Sequence, residues 1–204
     1  MLILGITGPT GSGKTTALQR IAARGGCILD LDAVYHQLLA TNRDLIRALD
    51  ARFPGVIQDG VLDRKALGAI VFSDPAALRD LNEITGSYIL AETDRRLLAA
   101  EQSGVPMAAI DAINLLEGDL PRRCDYTIAV VAPVETRVRR LMVRDNISEE
   151  YARLRISAQQ PGEYYSSRCD FTLYNDAATP EEFALRCDAL LDQITKQERT
   201  DPHE

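Results

Sequence analysis

GPTGSGKTT, residues 8–16, follows the apolar run MLILGIT and leads into ALQRIAAR, which carries helical patterning. A glycine, four residues, then Gly13, Lys14 and Thr15 give the spacing of a phosphate-binding loop, and strand, loop and helix occur in the order that loop requires. Glycines let backbone N–H groups turn inward around a β-phosphate, and the helix that opens there adds the positive end of its dipole. Lys14 reaches the β- and γ-oxygens as a point charge, and the Thr15 hydroxyl is placed to ligate Mg²⁺. Gly11, Ser12 and Thr16 complete the nucleotide contacts, Thr16 also serving helix packing.

Outward from the loop, short β-rich runs occur at LILGIT (2–7), GCILD (26–30), VPMAAID (105–111), YTIAVVA (126–132) and DFTLYN (170–175). Most are almost continuously apolar, as strands buried on both faces must be. Helical patterns separate them: TTALQRIAAR, VETRVRRLMVRD, SEEYARLRISAQQ and PEEFALRCDALLDQI. This alternation predicts an α/β fold with a parallel sheet. The stretch from Asp32 to Ser103 is too long for one crossover helix. Its turn signals at Pro54-Gly55 and Asp59-Gly60, a helix start at Asp63 and a long helical pattern after Asp74 predict a helical insertion.

A net charge of −7 argues against a broad nucleic-acid surface, which needs a positive field. No apolar run approaches the length that spans a bilayer, and no secretory leader pattern opens the chain, so the expected location is the cytoplasm, with no membrane partner. Cys27, Cys124, Cys169 and Cys187 are far apart and lack metal-site spacing, so they are expected as reduced core thiols. No heptads appear that would set an oligomeric state, and a monomer is the expectation. The ending KQERTDPHE is expected to fray, and its His203 has no assigned role.

The second strand runs into Asp30-Leu31-Asp32, and aspartates at i and i+2 of an extended chain share a face. Strand ends form the ligand crevice of a doubly wound sheet, so a carboxylate there can accept a hydroxyl proton or help hold Mg²⁺. The alternative is that Asp32 caps the following helix. Asp111 ends the third strand, and Asn114 or Glu117 beyond it would flank the same crevice. Arg137, Arg140 and Arg144, at i, i+3 and i+7, put three guanidiniums on one helical face, suited either to phosphate oxygens or to a solvated face paired with acids such as Glu135. No N-K-x-D segment accompanies any of the three lysines, which turns the nucleotide reading from guanine toward adenine.

With these residues in view, the chain resembles the dephospho-coenzyme A kinase family over residues 1–192. GPTGSGKTT, ILDLDA, LDRKALGAIVFSDP, LNEIT, VRRLMVRDNISEE, RISAQQ and FTLYND follow one another in that family's order. The resemblance implies transfer of the γ-phosphoryl group of ATP, with Mg²⁺, to the ribose 3′-hydroxyl of dephospho-coenzyme A, giving coenzyme A and ADP. It places Gly11, Gly13, Lys14 and Thr15 around the phosphates, Asp32 as candidate base with Asp30 beside it, Arg140 and Arg144 on phosphates from a lid, and Asn175 near the adenine. Lys14 and Arg140 join Asp32 as catalytic candidates. A kinase for another small acceptor, or a nucleotide-binding protein without transfer, are the competing readings.

Some family positions differ here. His36 stands where the family has arginine, Gly86-Ser87 where it has His-Pro, and Asn114-Leu115-Leu116 where it has Pro-Leu-Leu, with the following glutamate displaced or absent. All belong to the acceptor side, so Asp30, Asp32, His36 and Asn114 are the substrate-side candidates. His36 is read either as a replacement cation when protonated or as an exposed helix residue without a role. The expected architecture is one P-loop kinase-like three-layer α/β domain, residues 1–194, with a five-stranded parallel sheet. Its core is 1–31 and 104–194, its helical acceptor-binding insertion about 32–103, and its arginine-bearing lid about 144–165, followed by a polar tail at 195–204.

Overall fold

The computed structural model describes residues 1–58 and 60–200. Asp59 and His203 lie outside the described residues. The chain runs β1 (Leu2–Thr7), α1 (Lys14–Ala23), β2 (Cys27–Asp30), α2 (Leu31–Thr41), α3 (Arg43–Arg52), β3 (Ile57–Gln58), β4 (Val61–Leu62), α4 (Arg64–Val71) and α5 (Pro75–Gln102). It continues through β5 (Met107–Asp111), β6 (Tyr126–Val131), α6 (Val134–Asp145), α7 (Glu149–Ser157), α8 (Gly162–Ser166), β7 (Phe171–Tyr174) and α9 (Pro180–Thr200). Two compact units result, one of residues 1–28 and 100–204 and the other of residues 29–99.

The expected five-stranded parallel sheet is present, in the order β2-β5-β1-β6-β7, with β5, β1, β6 and β7 in the first unit. β1 is central, with Leu4 opposite Ala109 of β5 on one side and Tyr126 of β6 on the other. Side chains alternate between faces along each strand. Leu4, Ile6, Ile128 and Val130 pack with Ala17 and Ile21 of α1 and Phe183, Cys187, Leu191 and Ile194 of α9. Ala129 and Val131 point the other way, onto Tyr165 of α8. That is the three-layer arrangement, and it makes the strands apolar on both faces. At the outer edge of the α1–α9 contact, Asp188 takes Arg20 at 2.8 Å and Arg24 at 3.1 Å.

Two boundaries differ from the expectations, and so does the burial of the cysteines. The lid was expected to reach residue 165, but Tyr165 is buried against β6, so α8 belongs to the core. The polar tail was expected from 195, yet α9 continues to Thr200, since no glycine or proline interrupts it before Pro202. The described cysteines are all free as expected, but only Cys187 is fully buried. Desolvation pushes the Cys124 thiol up to about 12 and Cys187 to about 11, so neither is a ready thiolate.

In the second unit Asn42 caps α3 and Asp63 caps α4, its Oδ1 accepting from the N–H groups of Lys65 and Ala66 at 3.0 Å each. A two-stranded antiparallel hairpin, β3–β4, turns at Gly60; its strands are too short to show a periodic signal in sequence. The long pattern after Asp74 is a single helix of 28 residues. On α5, Glu92 accepts from Arg95 and Arg96 at 2.7 Å, and these guanidiniums hold its carboxyl at about 2 against an ordinary 4.5. A folded-state pKa below the unfolded one stabilises the fold above that unfolded value and is lost as pH falls through the folded one. Glu92→Gln is therefore expected to lower the Tm at neutral pH, with the gap to wild type closing as pH falls from 4.5 toward 2 in a series of thermal melts.

Candidate active site

The chain leaves β1 at Thr7 and turns at once through Gly8, whose φ is +141°. A Cβ there would lie 2.0 Å from the Val130 carbonyl oxygen. Gly13 has φ +107°, and a Cβ on it would lie 2.1 Å from Asn175 Nδ2. Only glycine fits either position. Gly13 is also the N-cap of α1 and brings no side chain to its N–H groups, so the helix start is left to an anion. Lys14 folds back, donating from Nζ to Gly8 O at 3.0 Å.

The outer side of the loop is gripped from α6, α7 and β7. Arg137 Nε donates to Thr10 O at 2.8 Å, and the Thr10 N–H donates to Gln159 Oε1 at 2.8 Å. One turn along α6, Arg140 Nη1 donates to Gly11 O and Ser12 O at 3.2 Å each. Asn175, just past β7, donates from Nδ2 to Ser12 O at 2.8 Å and accepts from Arg140 Nη2 at 3.0 Å. The i, i+3 spacing thus places two guanidiniums on consecutive loop carbonyls. Burial depresses the pKa of Arg137 and of Arg140, with Arg139 adding to the effect at Arg140. Arginine stays charged all the same.

A cavity of about 630 Å³ opens on the loop, lined by residues 10–15, Asp111, Arg139, Arg140, Val143 and Arg144. Arg144 spends Nε and Nη2 on Asp145 at 2.7 and 2.9 Å, and this pairing raises its pKa. Asp145 also takes Arg155 at 2.5 Å, and the two guanidiniums hold its carboxyl far below the usual range. Asn175 supports the loop from behind and does not line this cavity. Thr16 does not line it either, while Thr15 does.

Polyphosphate and Mg²⁺ suit this donor set. The Ser12 hydroxyl lines the cavity yet is buried with no partner in the protein, a donor left over for a ligand oxygen. The Thr15 hydroxyl and Asp111 carboxylate are hard oxygen donors on the same wall. No cluster of three metal-ligating side chains exists among the described residues. Mg²⁺ fits such a site because it is held by one or two protein oxygens together with substrate phosphates.

In the second unit, Asp30 ends β2 and caps α2, its Oδ1 accepting from Ala33 N at 3.0 Å. The expected shared strand face for Asp30 and Asp32 is therefore corrected: Asp32 is already in the first turn of α2, and the cap is Asp30 instead. His36 Nδ1 lies 3.0 Å from Arg64 Nη2. A guanidinium only donates, so Arg64 brings a cation to the side of His36 where the family arginine was missed. Asn114 lines a separate cavity of about 340 Å³ with Glu117, Gln159, Gln160 and Tyr164. Gly86 sits mid-α5 facing open space, and the Ser87 hydroxyl bonds back to Ile84 O at 2.8 Å.

Sequence reasoning missed Gln159, Arg139 and the burial of Arg137. Only the arginine spacing on α6 pointed that way.

The family model described as dephospho-CoA kinase matches residues 2–181. The chain belongs to the dephospho-CoA kinase family. A dephospho-CoA kinase of Burkholderia lata is 36% identical over 192 residues, covering 93% of this chain and 94% of the relative. One from Latilactobacillus sakei is 38% identical over 176 residues, covering 86% and 87%. A solved structure from Thermus thermophilus superposes with TM-score 0.72 at 35% identity, over 94% of this chain and 97% of that one. The chain is accordingly a phosphotransferase that uses ATP to convert dephospho-CoA to CoA. Its loop cannot carry a side chain at Gly13: the left-handed backbone alone costs about 1–2 kcal/mol. Gly13→Ala is expected to weaken ATP binding at least about tenfold by titration calorimetry, with helix content by circular dichroism unchanged.

Proposed function

We propose that phosphoryl transfer is carried by Lys14, Thr15 and Arg140 on the donor side and by Asp32 on the acceptor hydroxyl. The observation that supports this most is the loop itself, with its left-handed glycines and its carbonyls held outward. Lys14 and the N–H groups at the start of α1 hold the β- and γ-phosphates. Arg140, fixed to Gly11 O and Ser12 O, adds charge from behind the loop and lines the same cavity. Asp32 accepts the proton of the ribose 3′-hydroxyl as its oxygen bonds to the γ-phosphorus and the bond to the β–γ bridging oxygen breaks, releasing ADP. Positioning and electrostatics supply most of the acceleration. Thr15 and Asp111 would hold Mg²⁺, whose chemistry is to neutralise charge on the β- and γ-oxygens.

On the acceptor side Arg64 carries the cation and His36, hydrogen-bonded to it, orients it. This arrangement answers the missing arginine at 36. Asn114 is assigned to the acceptor from its cavity. We also place the protein in the cytoplasm, in keeping with four free cysteines. ADP release is expected to depend on dephospho-CoA, and Asp32→Asn to lower kcat by about 10²–10⁴-fold with ATP affinity retained. A coupled ADP assay together with ATP titration checks both; ADP release independent of the acceptor would refute the assignment.

A further inference from the structure

Arg137 is 3% exposed, and every partner it has among the described residues is neutral. Nε meets Thr10 O at 2.8 Å and Nη2 meets Gln159 Oε1 at 3.4 Å. Tyr165 is close enough to interact, but burial holds its phenol above its usual pKa, so it offers no countercharge. Carboxylates are not scarce nearby. Asp145 takes Arg144 and Arg155, while Glu135 and Glu149 take Arg153. Arg144, Arg153 and Arg155 are paired with carboxylates, whereas among the described residues the buried Arg137 has no such partner.

A buried charge without a counter-ion is costly, and an apolar or amide side chain would cost less. The cost has a location, because the guanidinium is fixed to the carbonyl of Thr10, a loop residue whose N–H is held as well, by Gln159. Gln159 sharpens this. Its amide oxygen accepts from Thr10 N–H and from Arg137 together, a task a carboxylate would also perform. An amide does it without cancelling the charge.

We propose that Arg137 is a positioning residue of the phosphate-binding loop, and that its unneutralised charge, presented through the Thr10 peptide, strengthens polyphosphate binding. This rests on the nucleotide role of the loop proposed above. Low-dielectric surroundings leave such a charge poorly screened, and its pull grows with the charge of the ligand. A residue that merely held the loop in shape would affect ATP and ADP alike.

Gln159→Glu separates charge from shape, since it keeps both hydrogen bonds and pairs the guanidinium. The Tm is expected to hold or rise, while the Kd for ATP rises about tenfold and that for ADP rises less. Arg137→Met, carried in parallel, removes the charge outright and is expected to shift ATP more than ADP as well. ATP affinity within about twofold of wild type in either folded variant, or equal losses for ATP and ADP, would overturn the proposal. Lys14→Met keeps the two readings apart. If it abolishes ATP binding while Gln159→Glu changes nothing, the loop stands and only the role of Arg137 falls.

Discussion

A peptide group cannot turn its N–H toward a ligand without turning its carbonyl away. The loop at residues 8–15 is built on that constraint, and much of the first unit answers it. Carbonyls of Thr10, Gly11 and Ser12 face outward and would be orphaned in a packed interior. They are taken by Arg137, Arg140 and Asn175, which arrive from α6 and from the end of β7. A phosphate site that occupies a few consecutive residues in sequence therefore needs side chains more than a hundred residues downstream. Gly13 must be glycine for the same reason, because Asn175 occupies the space where a Cβ would stand.

The electrostatics follow from this arrangement. The protein carries a net charge of −7, which by itself would repel a polyphosphate. Local order reverses the sign. Arg137 and Arg140 meet carbonyl and amide oxygens, which leave their charge uncompensated, whereas Arg144, Arg153 and Arg155 meet carboxylates that offset theirs. What differs among these five is the partner: oxygens of the loop and its supports in one case, acidic side chains in the other.

Features governed by local chemistry were legible in the sequence. The loop, the five strands and α6 show as spacing or periodicity, and Asp63 announced α4 as a cap. Features that depend on a distant partner were not. Arg137 reads as one of three arginines on a face, and nothing in VETRVRR distinguishes the buried one. His36 suggested a cation until Arg64, far along the chain, supplied the donor. The shared face of Asp30 and Asp32 failed for a local reason: Asp30 is a good cap, so the helix begins at once and breaks the strand alternation.

The grip on the loop also constrains which parts can move. Swinging α6 away as part of a lid would strip the carbonyls of Thr10 and Gly11 of their donors and leave Ser12 O to Asn175 alone. The far end of the expected lid is tied as well, since Gln159 holds Thr10 N–H and Tyr165 is packed under β6. Between these anchors α7 lies on α6 through Val138, Leu141, Ala152 and Ile156. The grip lies on the part of α6 that precedes residue 144, where the expected lid begins. In the mechanism proposed above, Arg140 contributes a charge already fixed to the loop, and a donor already fixed costs no reorganisation when charge moves onto the transferring phosphoryl group.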